Sequence, residues 1–358
     1  MKDKALKITA NMVTVLRIVL MPIPGYLLYG GEDALFAAFA MTILLGLTDL
    51  LDGIMARREG TSVLGGLLDP IADKIFIAVI YLPLTDRGII PVWLTAAMFA
   101  RDFTVTALRS ALSYRDAPMR TAKLAKYKTA IQMAGIEYVI LFMANKSRPD
   151  HILVWIFLSV PILMSLGLMV YRAFTGRKQG PRSITMLALT TLCFVLRWWF
   201  GPAITSIVII YVIGALTIIS GFSYFVDAWS ALVGKRGSGA DIFRFVFDGI
   251  LLPALFVPLF IYYNNAFAST AIILIVTLEL AVGGLQNLLA SEKVTIPFGR
   301  SATKSVVQIG LAAGATVVAW GAAPSAVGSA MLGAALGLTT VYAAVMFIAF
   351  RKVYLAAI

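Results

Sequence analysis

The sequence predicts an all-α, polytopic integral membrane protein with about 12 transmembrane helices. Of its 358 residues, 60% are hydrophobic and only 13% are charged, and the mean hydropathy is +0.90. A soluble protein cannot bury so large a share of apolar surface. Apolar runs of roughly 20 residues, the length that crosses a bilayer as a helix, recur along the whole chain. The single cysteine, Cys193, excludes a disulfide within the chain.

The predicted helices form two six-helix bundles, separated by the polar and basic linker TGRKQGPR at 175–182. Residues 1–178 make up the first predicted domain and residues 179–358 the second. We expect transmembrane spans at roughly 11–30, 34–56, 66–86, 90–113, 123–145, 150–172, 183–201, 204–231, 240–263, 267–290, 304–322 and 325–350.

The second bundle is predicted to be a degenerate copy of the first. Six spans per copy, an even number, would make the two copies a parallel repeat, related by an axis along the membrane normal. Four pairs of segments carry the similarity: SITML at 183–187 with MVTVL at 12–16, SYFVDAWSAL at 223–232 with TDLLDGIMAR at 48–57, FDGILLP at 247–253 with LDPIADK at 68–74, and KSVVQ at 304–308 with KTAIQ at 128–132.

The basic residues predict the topology. The formal net charge is +12, but most lysines and arginines fall in alternate connections between the predicted spans. By the positive-inside rule, both termini and the connection that follows the second span are cytoplasmic. The basic surplus therefore indicates membrane orientation and contact with anionic lipid headgroups rather than nucleic acid.

Four aspartates lie between and within the second and third predicted spans. Asp49 and Asp52 are three residues apart, and Asp69 and Asp73 are four apart, so each pair shares one face of a helix. Isolated charges are costly in a membrane unless they are neutralised. Four converging carboxylates therefore predict a site for hard divalent cations, Mg²⁺ or Mn²⁺, and the near absence of histidine and cysteine favours the same ions.

Small residues and one arginine stand at fixed positions between the two acidic pairs: Gly53, Ala56, Arg57 and Gly65. The complete pattern, D-x2-D-G-x2-A-R-x7-G-x3-D-x3-D, resembles the signature of the CDP-alcohol phosphotransferases at eight positions. These membrane enzymes join a CDP-activated lipid to an alcohol and release CMP. The resemblance implies an all-helical enzyme of phospholipid biosynthesis that uses CDP-diacylglycerol in the bilayer.

The family resemblance also implies a role for each residue of the pattern. Asp49, Asp52, Asp69 and Asp73 would bind two divalent ions, and Asp69 and Asp73 would be catalytic, with Asp73 receiving the proton of the acceptor hydroxyl. The group around the CDP moiety would comprise Asp49, Gly53, Ala56, Arg57 and Gly65. The small residues would admit the nucleotide, and the arginine would contact the pyrophosphate.

A cationic group follows in the fourth and fifth predicted spans: Arg101, Arg109, Lys126 and Lys128. These side chains could form an anion pocket beside the aspartates. The segments ARDFTVTALR and KYKTAIQ that contain them resemble stretches of phosphatidylglycerophosphate synthases within the same family. The resemblance implies an acceptor such as glycerol 3-phosphate, whose phosphate the pocket would hold.

Arg17 lies in the first predicted span, on the same helix face as Asn11 and Thr14. One interpretation is an arginine that extends to the membrane interface. The other is a contact with the acidic site, because N-x2-T-x2-R in a first helix resembles the start of phosphatidylglycerophosphate synthases.

The second copy is predicted to be inactive. Aligned on the first copy, it has Tyr224 for Asp49, Leu232 for Arg57 and Leu252 for Asp73. Only Asp227 and Asp248 remain, and two acids without partners cannot hold a pair of divalent ions. Because single-copy members of the family are typically homodimers, the second copy could replace a second subunit, which makes the chain either a monomeric pseudo-dimer or a homodimer.

Two alternatives stay open at the level of the sequence. Within the family, the acceptor could be inositol phosphate, serine or phosphatidylglycerol. In another class, buried acids and repeated bundles also occur in cation-coupled transporters. A transporter, however, has no need for Arg57 and the glycines at fixed spacing.

Overall fold

The structure, a computed structural model, is built from α-helices, and the residues it describes contain no β-strand, which confirms the all-α prediction. The described residues are 9–59, 63–113, 123–147, 152–176, 181–233, 245–263, 266–291, 294, 298–318 and 325–351. The helices are α1 (Ala10–Leu20), α2 (Pro22–Leu27), α3 (Glu32–Glu59), α4 (Val63–Asp86), α5 (Val92–Ser113), α6 (Lys123–Ala144), α7 (Ile152–Phe174), α8 (Pro181–Val233), α9 (Leu252–Tyr262), α10 (Ala266–Ser291), α11 (Phe298–Val317) and α12 (Ser325–Ala349), with a π-helical segment, Phe245–Leu251, directly before α9.

Five stretches of the described helices are long and apolar enough to cross a membrane: Ala10–Leu27, Glu32–Met55, Ile152–Phe174, Thr190–Gly221 and Ala326–Ala349. Large apolar side chains on them are exposed outside the bundle, such as Met164 on α7 and Val341 on α12, as expected for surfaces that face lipid. These features indicate an integral membrane protein. A helix lies at each predicted span, whereas the count of 12 membrane crossings stays a prediction.

Helix α8 joins two predicted spans and is broken between them at Gly201. The backbone there has φ 77° and ψ 178°, a conformation that residues with a Cβ rarely adopt. Pro202 follows and has no N–H to continue the helical hydrogen bonding. Glycine and proline together therefore end the first part of α8 and begin the second.

Helix α4 lies at the centre of the bundle. All side chains from Ile75 to Thr85 are buried, because α1 and α2 pack on this helix and so do α9 and α10 of the second half. Helix α1 also packs on α3, so the first part of α1 reaches the end of α3 and the start of α4. This packing brings together the helices that carry the acidic pairs.

The two halves of the chain share an extensive helix contact. Helix α8 packs on α5, α6 and α7, and α10 packs on α4 and α5. The approach is close at two glycines: a Cβ on Gly135 of α6 would overlap Ile213, and one on Gly214 of α8 would overlap Leu94. Small residues let membrane helices come together in this way.

A buried polar cluster lies within the second half, between α10, α11 and α12. The Lys304 ammonium is 2.6 Å from Glu279 Oε2 and 4.9 Å from the ring centroid of Tyr342. The Gln308 amide donates to Glu279 Oε1 at 2.7 Å and also to the Thr339 hydroxyl. This group, the second-half cluster, pairs one cation with one anion.

Candidate active site

Side chains of α1 meet the carboxylates of α3 and α4. Arg17 Nη1 donates to Asp49 Oδ1, and Arg17 Nη2 lies 3.5 Å from Asp52 Oδ2. One turn earlier on α1, the Thr14 hydroxyl donates to Asp52 Oδ2 at 2.9 Å and lies 3.5 Å from Asp69 Oδ1. The structure thus joins the two acidic pairs through α1, and we call these five residues, with Asp73, the acid cluster.

Asp73 is assigned to the acid cluster because it interacts electrostatically with the other charged residues of the cluster. It is close enough to Asp49, Asp69 and Asp52 to be repelled by each of them, and close enough to Arg17 to be attracted. Asp69 likewise interacts with Asp52, Asp49 and Arg17. The four aspartates therefore lie in one region of the bundle, whereas their predicted binding of divalent ions stays a prediction.

The acid cluster is buried on one side and open on the other. Arg17 and Asp52 are 3% and 4% exposed, whereas the side chain of Asp49 is 41% exposed and Asp69 is exposed as well. The two accessible carboxylates are Asp49, in the second half of α3, and Asp69, near the start of α4. We call this accessible side the opening of the acid cluster.

The charges of the acid cluster do not balance. Among the side chains that the structure describes, the Arg17 guanidinium is paired with these carboxylates, and the four carboxylates outnumber it. Such an excess of negative charge in a partly buried site is stable only when a cation or protons compensate it. The cluster therefore attracts cations through its opening.

The residues that were predicted to surround the nucleotide are described only in part. Gly53 and Gly65 are partly exposed, on the α3 and α4 sides of the opening. Ala56 and Arg57 lie in α3, but their side chains are outside the described part of the structure. Their predicted contacts with CDP stay predictions.

Arg101, one residue of the predicted anion pocket, contacts the second half of the chain, and its predicted role in binding the acceptor phosphate stays a prediction. Its Nη1 donates to Asp102 Oδ1 at 2.9 Å, and its Nη2 donates to Ser220 Oγ of α8 at 3.0 Å. A Cβ on Gly221 would overlap the Arg101 side chain, so this arginine fills a space next to the second half. The side chains of the other pocket residues lie outside the described part: Arg109, Lys126 and Lys128.

Comparison with known proteins identifies the family. Residues 7–170 match the CDP-alcohol phosphatidyltransferase family. The chain is 34% identical over 166 residues to the CDP-diacylglycerol–glycerol-3-phosphate 3-phosphatidyltransferase of Pseudomonas fluorescens, which covers 44% of this chain and 81% of that protein. It is 33% identical over 164 residues to the probable phosphatidylglycerophosphate synthase of Mycobacterium tuberculosis, which covers 44% of this chain and 76% of that protein. The chain belongs to the CDP-alcohol phosphatidyltransferase family.

A second kind of relative has a different lipid product in its name. The chain is 43% identical over 119 residues to the human cardiolipin synthase (CMP-forming), a match of 33% of this chain and 38% of that protein. The chain thus covers well under half of the length of this relative. No solved structure matches.

The acid cluster fits divalent ions in ligand type. It offers only carboxylate oxygens, the ligands that Mg²⁺ and Mn²⁺ prefer. A tethered cation, the Arg17 guanidinium, already lies between two of them. Within the described ranges, no three acidic, histidine or cysteine side chains are arranged as a complete ligand set.

Two residues of the acid cluster were not predicted as site residues from the sequence: Arg17 had two open interpretations, and Thr14 was not considered. The structure places Arg17 in contact with Asp49 and Asp52, as the second of the two interpretations expected. Thr14 was not predicted as a site residue, although its spacing of three from Arg17 places both on one helix face. The spacing of Thr14 from Arg17 is the sequence signal that could have identified Thr14 as a site residue.

Proposed function

We propose that this protein is a phospholipid-synthesising transferase that moves the phosphatidyl group of CDP-diacylglycerol to a small alcohol and releases CMP. The observation that carries the proposal is the acid cluster, in which four carboxylates from two helices lie around the Arg17 guanidinium and two of them, Asp49 and Asp69, are accessible from outside. The eight matching positions of the family pattern and the relatives that use CDP-diacylglycerol support the same conclusion.

The acid cluster would hold two Mg²⁺ or Mn²⁺ ions through Asp49, Asp52, Asp69 and Asp73. Divalent ions bound there would neutralise the pyrophosphate and stabilise the departing CMP. Asp73 would orient the acceptor hydroxyl and accept its proton as a new P–O bond forms to the phosphatidyl group. The P–O bond to CMP breaks in the same displacement. Arg57 would contact the pyrophosphate, and Gly53, Ala56 and Gly65 would leave room for the nucleotide.

We propose glycerol 3-phosphate as the acceptor. Two relatives named for glycerol 3-phosphate or phosphatidylglycerophosphate are each covered over more than three quarters of their length, which supports this choice. Arg109, Lys126 and Lys128 would hold the acceptor phosphate, and Arg101 would support them from its position between Asp102 and Ser220. The similarity to cardiolipin synthases favours phosphatidylglycerol as the second candidate acceptor.

The orientation in the membrane is part of the proposal. The basic connections predict that the opening of the acid cluster faces the cytoplasm, where soluble alcohol phosphates occur. The diacyl chains would remain in the bilayer beside the opening. For a bacterial protein this corresponds to the cell membrane, with both termini in the cytoplasm.

Purified full-length protein in detergent tests the proposed function. CDP-diacylglycerol is supplied with glycerol 3-phosphate, phosphatidylglycerol, serine or inositol phosphate in turn, and CMP release and the lipid product are measured with Mg²⁺ and with EDTA. We expect metal-dependent CMP release that is fastest with glycerol 3-phosphate. Absence of CMP release with every acceptor would contradict the enzyme assignment, and preference for phosphatidylglycerol would change the acceptor alone.

We also propose that the second half takes the place of a partner subunit, so that the chain is a pseudo-dimer. In the predicted repeat, the π-helical segment with α9 corresponds to α4, and α10 corresponds to α5. Helix α4 packs on α10, and α5 packs on both the π-helical segment and α9, so each contact has its reciprocal, as at a two-fold interface. Helix α5 also packs on α10, where a Cβ on Gly283 would lie 3.1 Å from Thr106 Cγ2.

Cysteine cross-linking in a Cys193→Ser background tests this arrangement. We expect Thr106→Cys combined with Gly283→Cys to form a disulfide within one chain, seen as a shift in gel mobility without dimer. A disulfide-linked dimer formed by Thr106→Cys alone would show that α5 meets another first half, and would contradict the pseudo-dimer.

A further inference from the structure

Arg17 is buried in the acid cluster with unused hydrogen-bond donors. Its side chain is 3% exposed, and Nη1 donates to Asp49. Its Nε and Nη2 atoms are buried and have no hydrogen-bond partner among the described residues, although Nη2 lies 3.5 Å from Asp52 Oδ2. Buried donors of a charged group are rarely left without an acceptor, because the loss of their hydration is not compensated.

The ion pairs of Arg17 use carboxylates that divalent ions would also need. Asp49 and Asp52 are proposed metal ligands, and a guanidinium within salt-bridge distance would repel a divalent ion on the same oxygens. The pairing of Arg17 with Asp49 and the binding of a divalent ion to Asp49 therefore oppose each other. When an ion binds, the guanidinium needs another anion close by.

A phosphate is the anion that fits the geometry of the free donors. The guanidinium presents its N–H groups as a planar fork that matches two oxygens of a phosphate. Thr14, one turn away on α1, holds Asp52 by its own hydrogen bond, so α1 keeps a contact with the cluster when Arg17 turns away. Only the flexible side chain of Arg17 has to move.

We propose that Arg17 is a phosphate-binding residue that exchanges partners, from Asp49 and Asp52 to a phosphate oxygen of the CDP-linked lipid when divalent ions engage these carboxylates. This inference rests on the proposed function and adds a residue of α1 to it. It makes metal binding and nucleotide binding cooperative. A bound ion releases Arg17 from the carboxylates, and a bound phosphate gives the released guanidinium a new partner.

Two binding measurements on the purified full-length protein test the exchange. Mn²⁺ affinity is measured by electron paramagnetic resonance without nucleotide, and CDP affinity is measured by calorimetry at saturating Mn²⁺. We expect Arg17→Ala to bind Mn²⁺ more tightly, because a competing cation is gone, and to bind CDP about tenfold or more weakly, because a charged hydrogen-bond donor is lost. Arg17→Lys keeps the charge but not the fork, so its Mn²⁺ affinity should stay near that of the wild type while its CDP affinity falls.

Arg197→Lys is the matched control. Arg197 is buried to a similar degree, at 5% exposure, but its guanidinium lies over the rings of Trp155 and Phe142. This variant should leave both affinities unchanged, which separates the effect of Arg17 from that of altering any buried arginine.

Any other outcome would contradict the proposed exchange of partners by Arg17. A purely structural role of Arg17 would weaken Mn²⁺ and CDP binding together in Arg17→Ala, and a residue outside the site would change neither. A wild-type protein that binds Mn²⁺ but not CDP would contradict the proposed function itself. It would then also contradict the proposed contact of Arg17 with a phosphate of the CDP-linked lipid. A wild type that binds CDP, with an Arg17→Ala variant that binds it equally well, would overturn the inference alone.

Discussion

The two halves of the molecule each contain a buried polar cluster, and the clusters differ in charge balance. The acid cluster of the first half sets four aspartates against Arg17 and is open on one side. The second-half cluster pairs Glu279 with Lys304 and is buried, and Gln308 donates to both Glu279 and Thr339. An unbalanced, open cluster needs cations from outside, whereas a balanced, buried one needs none.

The difference in charge balance suits the two clusters to different roles, one in the proposed reaction and one in holding helices together. Membrane helices tolerate charges when these are paired, so the second-half cluster can hold α10, α11 and α12 together without any ligand. The acid cluster cannot be satisfied by its own residues. The comparison therefore assigns the proposed reaction to the first half and a structural role to the second.

The largest expected effect comes from Asp52→Asn. A neutral amide cannot replace a carboxylate that binds a divalent ion, so CMP release should fall by about 10³-fold or more while the protein stays folded. The matched control is Asp227→Asn, the corresponding position of the second copy, which should keep nearly full activity. Turnover retained by Asp52→Asn, or lost equally in Asp227→Asn, would remove the distinction between the halves.

The acidic pairs are the part of the site that could be predicted best. Spacings of three and four residues place Asp49 with Asp52, and Asp69 with Asp73, on single helix faces, and helix geometry alone fixes that result. Arg17 could not be decided in advance, because a long side chain can reach either the interface or a neighbouring helix.

Contacts between the halves could not be predicted. Arg101 was predicted as part of an anion pocket, but its hydrogen bond to Ser220, which is 119 residues away in sequence, was not foreseen. The pairing of Glu279 with Lys304 depends in the same way on how α10 meets α11. Periodicity shows which face of a helix is apolar, but it does not identify the helix that covers this face.

A second, smaller effect is expected in the second-half cluster. Lys304→Met leaves Glu279 buried without its cation, which should destabilise the protein by about 3–5 kcal/mol. Thermal unfolding in detergent measures this loss, and CMP release per folded molecule should stay unchanged. The double variant Lys304→Met with Glu279→Gln should regain most of the stability, since no unpaired charge is left. A loss of turnover in the stable double variant would show that the second half takes part in catalysis.

The smallest expected effect concerns the contact between the halves at Arg101. Ser220→Ala removes one hydrogen bond to the guanidinium, so the KM for glycerol 3-phosphate should rise about three- to tenfold, with little change in the KM for CDP-diacylglycerol. Steady-state kinetics with each substrate varied separately measures both values. Equal changes in the two KM values would indicate a general loosening of the interface instead.

Counting bound Mn²⁺ per chain tests the central claim most directly. Equilibrium dialysis of the purified protein should give two ions for the wild type and for Asp227→Asn, and a clear loss of bound ions for Asp52→Asn. A chain that binds no Mn²⁺, or binds as much after Asp52→Asn as before, would contradict the assignment of the acid cluster as the metal-dependent active site.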